Sequence, residues 1–259
     1  MTQEQPSQAF PYHRIVEDLR SAILEGSISP GAQLPSENEL AARYATSRPT
    51  VRRAVALLKA EGLVVTAQGR GSFVRPRPHV RIVVTGANFR RHRREGRSGF
   101  NAQVEERGQR AAQRIVEVST TPAPEEIATR LQIEPGALAV VRRRVFLADD
   151  QPVSLCDSYY DAQVAVGTAL ALPGRIRGGA YAVIEDPDGP IRRTIARSID
   201  EVTSRMPSPH ESELLSIPPG VPVMRVIRTV LDSTEKPLEV QVSVAAADRH
   251  ELRYEVLMS

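Results

Sequence analysis

The sequence predicts an α+β fold in two parts: a small helical domain that closes with a β-hairpin, then a larger domain of mixed α/β character around an antiparallel sheet. Three observations carry that expectation. Residues 36–75 run as a capped short helix, a three-residue turn, a basic-headed amphipathic helix and a glycine-rich hairpin, the order of a winged helix-turn-helix. Residues 98–259 alternate short helices with strands. Within that second half, two segments match each other at a spacing of 84 residues.

At 259 residues the chain is long enough for two modest domains, each burying its own core. Apolar content of 41% and charged content of 25% are those of an ordinary globular protein. No apolar run approaches the roughly 18–20 residues that span a bilayer. The polar start MTQEQPSQAF has no basic segment leading into an apolar one, so no secretory signal is expected and a cytoplasmic setting is. The lone Cys156 excludes an intrachain disulfide and a cysteine-rich metal site; in the strand-like PVSLCDSYY it is expected to be a small buried hydrophobe.

Net charge is +3, but it is unevenly spread. Residues 1–97 hold 16 Arg+Lys against 8 Asp+Glu, giving +8, and residues 98–259 hold 18 against 23, giving −5. A basic front on an acidic back predicts an anionic partner for the front alone.

Taken in order, Tyr12–Glu25 keeps Ile15, Val16, Leu19, Ala22 and Ile23 at helical spacing and ends at Gly26. Pro30-Gly31 marks a turn. Ser36-Glu37-Asn38-Glu39 has the pattern of a capping box, with Leu40, Ala41 and Tyr44 as the inner face of a short helix. Ala45-Thr46-Ser47 makes the next turn, and Ser47 caps a helix whose core stripe is Val51, Ala54, Val55 and Leu58. Its first turn and outer face carry Arg48, Thr50, Arg52 and Arg53; Pro49 is tolerated where an amide has no intrahelical partner. Free amides there suit phosphate, and arginine forks suit guanine edges. Leu63–Val65 and Ser72–Val74 flank Gln68-Gly69-Arg70-Gly71, a wing whose tip is expected to lie along the sugar-phosphate backbone.

These residues, through YHRIVEDLRSAILEGSISPGAQLPSENELAARY, SRPTVRRAVALLKAEGLV and GRGSFV, resemble the GntR family of bacterial transcription regulators over residues 10–75. The resemblance implies Arg48, Thr50 and Arg52 as principal DNA contacts, joined by Gln68, Gly69 and Arg70 of the wing. Ser36, Ser47, Pro49, Arg53 and Gly71 complete the expected interface. Many members carry Arg where this chain has Asn38, which bears on operator sequence.

Residues 76–97 are expected to be a linker; the run from Arg75 to Arg97 holds eight Arg and one acid. Arg90, Arg91, Arg93 and Arg94 are candidates for flanking phosphates, or for pairing with the acidic second domain.

Residues 98–257 are expected to form the second domain. Phe100–Arg107 is helix-like, Arg114–Val118 a strand, Pro124–Leu131 a helix, and Leu138–Leu147 with Pro152–Tyr160 a hairpin. Leu131–Gly136 and Leu215–Gly220 match, Arg144 and Arg228 obey the same offset, and Pro152 and Pro237 follow after a one-residue slip. This predicts an internal duplication around a shared antiparallel sheet. Met224, Val226, Arg228 and Val230 share one strand face, and Glu239, Gln241 and Ser243 share one on the next. An arginine on an apolar face needs an anion, so the pattern predicts either a pocket or an internal Arg–Glu pair. Arg144, Phe146, Tyr159, Arg228 and Glu239 are the candidate ligand residues.

GRSGFNAQV, LADDQPVSLCDSYY, GGAYAVIED and EVQVSVAAADRHELRYEV resemble the UTRA effector domain of the HutC-type branch, whose fold is chorismate-lyase-like. The resemblance implies a domain that binds small metabolites and dimerises. Sugar-phosphate-sensing members carry Arg-x-Arg on the first hairpin strand and hydroxyls before two helices. Here those positions hold Arg144, Phe146, Gly99 and Gly179, so a sugar phosphate is not expected.

The five histidines form no metal spacing, and neither Gly-x-Ser-x-Gly nor His-Glu-x-x-His occurs, so no metal, cofactor or catalysis is expected. The expected function is a dimeric repressor on palindromic double-stranded DNA, released by a small molecule, with no membrane partner. The alternatives are an effector-free repressor of plasmid or integrating-element transfer and, more distantly, a lyase-like enzyme.

Overall fold

Three helices, α1 (Pro11–Leu24), α2 (Glu37–Arg43) and α3 (Arg48–Ala60), bury the stripes that the spacing predicts in a computed structural model describing residues 11–76, 82–84, 99–218 and 220–253. Ile15, Val16, Leu19 and Ile23 of α1, Leu40 of α2, and Val51, Ala54 and Leu58 of α3 meet in one core. Gly26 takes φ +81° beyond α1, where a side chain would be strained. Ser36 and Glu39 form the reciprocal cap at the start of α2: the Ser36 amide donates to Glu39 Oε2 at 2.7 Å, and the Glu39 amide donates to Ser36 Oγ at 3.3 Å. Strands β1 (Val64–Ala67) and β2 (Gly71–Val74) pair antiparallel as the wing. The Arg20 guanidinium grips Glu61 through two hydrogen bonds of 2.9 and 2.6 Å, tying α1 to the end of α3.

The chain divides into two compact units, Met1–Pro78 with Ile217–Val221, and His79–Ser216 with Pro222–Ser259. The span expected to be linker contributes a short strand, β3 (Ile82–Val84), which pairs in parallel with β10 (His250–Leu252). Arg90, Arg91, Arg93 and Arg94 lie outside the described residues.

The second unit is built on one six-stranded antiparallel sheet in the order β4-β5-β6-β9-β8-β7. The strands are β4 (Ala111–Pro122), β5 (Leu138–Ala148), β6 (Gln151–Asp161), β7 (Ile195–Arg205), β8 (Val223–Asp232) and β9 (Pro237–Ala246). The short helices are α4 (Gly99–Glu105), α5 (Glu125–Leu131), α6 (Ala162–Ala165), α7 (Ala180–Ile184) and α8 (Pro209–Leu215). That strand order is two copies of one unit: β4-α5-β5-β6 mirrors β7-α8-β8-β9 about the β6–β9 pair.

The 84-residue offset extends into the backbone. Gln132 and Ser216 both cap their helices in the left-handed conformation (φ +55° and +50°), and Gly136 and Gly220 both follow at φ +82° and +84°. The register of each hairpin shifts at equivalent places, Phe146/Leu147 and Val230/Leu231, after which Leu147 faces Pro152 and Leu231 faces Pro237. The slip in the sequence match therefore lies in the hairpin loops, where Asp149 and Asp150 turn the first with positive φ while the second is longer.

Both sheet faces are covered. Ile127, Ala128 and Leu131 of α5 pack with Val141, Tyr159, Ile227 and Val240 on one side. Leu170, Ile184 of α7 and Ala165 of α6 pack with Val140, Tyr160, Val230 and Leu238 on the other.

His250 Nδ1 lies 3.1 Å from the Ala246 carbonyl, and burial pushes its pKa down to about 4. The ring is neutral when folded but protonates near its ordinary value of 6.5 when unfolded, so its stabilisation is complete above pH 6.5 and declines as pH falls toward 4. Urea unfolding at pH 7 and pH 5 should show His250→Gln losing about 2 kcal/mol less over that interval than the wild type. Equal losses in both proteins would remove His250 from the acid response.

Candidate functional site

The core stripe of α3 fixes which residues face out. With Val51, Ala54 and Leu58 buried, Arg48, Pro49 and Arg52 stand on the open side, and Thr50 beside them is half-buried. The Ser47 hydroxyl accepts from the Thr50 amide at 3.4 Å and shares a 2.9 Å hydrogen bond with the Thr50 hydroxyl. Arg48 and Arg52 keep 55% and 61% of their side-chain surface exposed, enough to meet a nucleic acid without unpacking the core. Their partner is Glu37 on α2: Arg52 Nε donates to both carboxylate oxygens at 2.9 Å, and Arg48 Nη2 reaches Oε2 at 3.4 Å. These arginines hold the Glu37 carboxyl below the usual carboxylate range, Arg52 most strongly.

Arg53 departs from this group. Its guanidinium lies 4.1 Å from the centroid of the Tyr12 ring on α1, an intradomain cation–π contact, because one residue beyond Arg52 a helix has turned by about 100°. Asn38 is exposed on α2, whereas the Ser36 hydroxyl is taken up by the cap.

The wing tip is set by two glycines and a glutamine. The Arg70 amide donates to the Ala67 carbonyl at 3.0 Å, closing a turn with Gly69 at φ +71°. Gln33 Nε2 donates to the Arg70 carbonyl at 2.8 Å, and a Cβ on Gly71 (φ +101°) would stand 2.9 Å from that nitrogen. Gln68, Gly69, Arg70 and Gly71 are all exposed. Gln33 was not singled out in the sequence; nothing in its neighbourhood marks a residue that braces a loop 37 positions away.

In the second unit, register places a band of polar side chains on the sheet face that also carries Val140 and Val230. Arg144 faces Cys156, which faces Ser243, and Arg228 faces Gln241, which faces Ser158. The row beyond holds Glu239, which faces Val230 on β8, and Tyr160, which faces Val140 on β5. Three arginines on this face have three different fates. Arg142, 2% exposed, donates to the carbonyls of Ala169, Leu170, Leu172 and Gly174 at 3.3, 2.9, 2.7 and 2.7 Å. Arg228 forms a fork with Asp200 on β7, Nε to Oδ1 at 2.7 Å and Nη2 to Oδ2 at 2.6 Å. Among the described residues, Arg144 Nη2 meets the Ser158 hydroxyl and Cys156 Sγ (3.2 Å), and its buried Nε has no hydrogen-bond partner.

Phe146 belongs here, with Arg144 5.4 Å from its ring centroid and Phe100 of α4 packed at 4.6 Å. Glu239 is buried and accepts from the Tyr160 hydroxyl at 2.8 Å. The internal pair expected between arginine and glutamate is thus Arg228 with Asp200. Tyr159 is a correction: it lies on the opposite sheet face, packed with Ile127, Leu131 and Val240, because side chains alternate and its neighbours Ser158 and Tyr160 take the Arg144 side. Burial pushes the Cys156 thiol up, which keeps it neutral, as expected of a small buried residue. Gly179 precedes α7 at φ +81° with no side-chain cap, so this helix start carries no hydroxyl.

Two family models match the chain: the bacterial regulatory proteins of the gntR family over residues 11–74, and the UTRA domain over residues 106–251. The chain belongs to the gntR family of bacterial regulatory proteins, in its UTRA-bearing branch. It is 30% identical to the uncharacterised HTH-type transcriptional regulator RB1450 of Rhizobium meliloti, across 94% of both chains. It is 28% identical to the HTH-type transcriptional repressor NagR of Bacillus subtilis, across 92% of this chain and 91% of that one. Among solved structures it is similar to a putative GntR-family transcriptional regulator, with a TM-score of 0.66 and 26% identity over 97% of this chain and 99% of that one. PhnF from Mycobacterium smegmatis shares the fold at a TM-score of 0.58 and 23% identity, over 95% of this chain and 100% of that one. This GntR–UTRA protein is therefore a DNA-binding transcriptional regulator rather than an enzyme. No helix among the described residues is long and apolar enough to cross a membrane.

The different partners of Arg142 and Arg144 predict different costs of removal. Arg142→Met leaves four carbonyls without their donor and should destabilise the protein by at least about 3 kcal/mol. Arg144→Met removes a cation whose Nε is already unmatched and should change stability by no more than about 1 kcal/mol. Urea unfolding of both variants checks this; equal destabilisation would make Arg144 a structural residue.

Proposed function

We propose that this regulator is a homodimeric, cytoplasmic repressor that sits on a palindromic operator and leaves it when a small anionic molecule binds the Arg144 face of its second domain. One observation carries the first half: the start of α3 displays Arg48, Thr50 and Arg52 beside a glycine-tipped wing bearing Gln68, Gly69, Arg70 and Gly71. Exposed cations at a helix start serve phosphate and base edges together, and two such heads on adjacent half-sites lie about 34 Å apart along the duplex. Ser36, Asn38, Ser47 and Pro49 shape the approach, while Arg53 supports the helix from Tyr12. The likeness to a protein named as a repressor, NagR, supports the sign of regulation. Residues 76–97 act as the connector.

The effector half rests on Arg144, a half-buried arginine with a buried Nε, which has no carboxylate among its hydrogen-bond partners in the described residues. Phe146 stands where a second cation would be needed to hold a dianion, and Glu239 on the same face is an acceptor taken up by Tyr160. A singly charged group with an apolar body, such as a carboxylate, fits that balance better than a sugar phosphate. Arg228 serves this site by holding Asp200.

Arg48→Ala should weaken binding to a selected operator by about 1–3 kcal/mol, read by footprinting against random duplex. An unchanged footprint takes Arg48 out of base reading. Arg144→Ala should bind the operator as tightly as the wild type yet no longer release it to carboxylates that release the wild type. If the wild type responds to sugar phosphates and not to carboxylates, the reading of the effector falls while the DNA half stands.

A further inference from the structure

We propose that Glu37 is a positioning residue for base reading: it holds Arg52 by Nε so that only the outer Nη1–Nη2 edge is offered to DNA, and its charge opposes the use of Arg48 and Arg52 as indiscriminate phosphate contacts. The inference rests on the DNA-binding reading above and adds to it a residue that touches the readers rather than the bases.

A guanidinium has two edges that can fork onto guanine O6 and N7, a side edge through Nε and one Nη, and an end edge through both Nη nitrogens. In this protein the side edge of Arg52 is occupied, since Nε donates to Glu37 Oε1 and Oε2 at 2.9 Å each. The end edge takes no partner among the described residues, and the side chain is 61% exposed. Arg48 is held less tightly by the same carboxylate, through Nη2 at 3.4 Å. Glu37 comes from α2, whose start is fixed by the Ser36–Glu39 cap, so the carboxylate reaches the readers from a second, independently anchored helix. Exposed pairs of this kind add little to folding stability. What the pair does change is the freedom of Arg52, a long side chain that otherwise samples many rotamers before it meets a base. A carboxylate behind the arginines also lowers the local positive potential that any phosphate sees.

The test uses the full chain, the duplex that the wild type selects from a random-sequence pool, and random-sequence duplex as the non-specific probe. Glu37→Gln should bind random duplex about threefold more tightly, with a steeper salt dependence, because a like charge near the phosphates is gone. Its preference for the selected duplex over random duplex should fall about tenfold, the scale of one weakened bidentate contact. In an Arg52→Ala background the same substitution should leave that preference unchanged. The melting temperature checks folding, and Glu37→Asp, which keeps the charge but shortens the reach, replaces the Gln variant should that one fail to fold; it should lose preference without gaining random-duplex affinity. An unaltered preference in Glu37→Gln overturns the proposal, as does a loss of preference that persists without Arg52. If the wild type selects no sequence, it is the DNA-binding reading that fails.

Discussion

A guanidinium keeps its charge at any pH a cell reaches, so each arginine folded into this protein has to find acceptors, and the pattern of acceptors organises the molecule. The chain carries 34 Lys+Arg, and Lys59 and Lys236 are its two lysines. In the first domain arginines fasten helix to helix, Arg20 to Glu61 and Arg52 to Glu37. In the second, Arg142 gathers the carbonyls of the segment Ala169–Gly174 and so pins that irregular stretch over the sheet. An irregular segment has carbonyls that no ladder satisfies, and a buried arginine with five donors is a compact way to satisfy several at once. Against that background, Arg144 is conspicuous for what it lacks. Its Ser158 and Cys156 contacts are uncharged, and among the described residues its buried Nε has no acceptor.

The internal duplication explains why Arg144 and Arg228 share a face and why their roles diverged. Two copies of a strand–helix–hairpin unit meet along β6 and β9, where Asp157 faces Val242. Equivalent positions therefore fall on the same side of one continuous sheet. The outer strand of each copy differs, however. β7 places Asp200 opposite Arg228, while β4 places Ile115 opposite Arg144. One arginine is neutralised within the sheet and the other is left to look for an anion elsewhere. A single residue on an outer strand decides whether the arginine opposite it has a carboxylate partner within the sheet.

Much of this was legible in the sequence because the informative signals were local. The capping box at Ser36, the stripe Val51, Ala54, Leu58, and the wing glycines depend on neighbours within a few positions, and each took the form that its spacing predicted. The duplication was legible too, since its landmarks are prolines and glycines that demand particular backbone. What was not legible depended on which strands lie side by side. Tyr159 and Tyr160 are both buried, because helices cover both faces of the sheet, so burial preference gives no hint of which tyrosine faces Arg144. Asp200 sits on β7, an edge strand exposed along most of its length, where hydrophobic alternation fades and the strand leaves no pattern to read. Arg53 is exposed as its helix position predicts, but its contact with the Tyr12 ring, 41 residues away, has no local signal in the sequence.

The same reasoning bears on the effector proposed for the Arg144 face. A dianion in a buried setting needs at least two uncommitted cations or a set of amide and hydroxyl donors, since each unmatched charge removed from water costs several kcal/mol. Here Arg142 is committed to carbonyls and Arg228 to Asp200, and Glu239 is an acceptor occupied by Tyr160. Phe146 offers an aromatic face, and Gly179 offers no side chain at all. Among the described residues of this face, that leaves the Arg144 guanidinium with its Ser158 and Cys156 contacts, the Gln241–Ser243 pair and the Phe146 ring. For the effector proposed above, one negative charge on an apolar frame suits that set, and each further charge would need a donor that this face has already assigned to the protein itself.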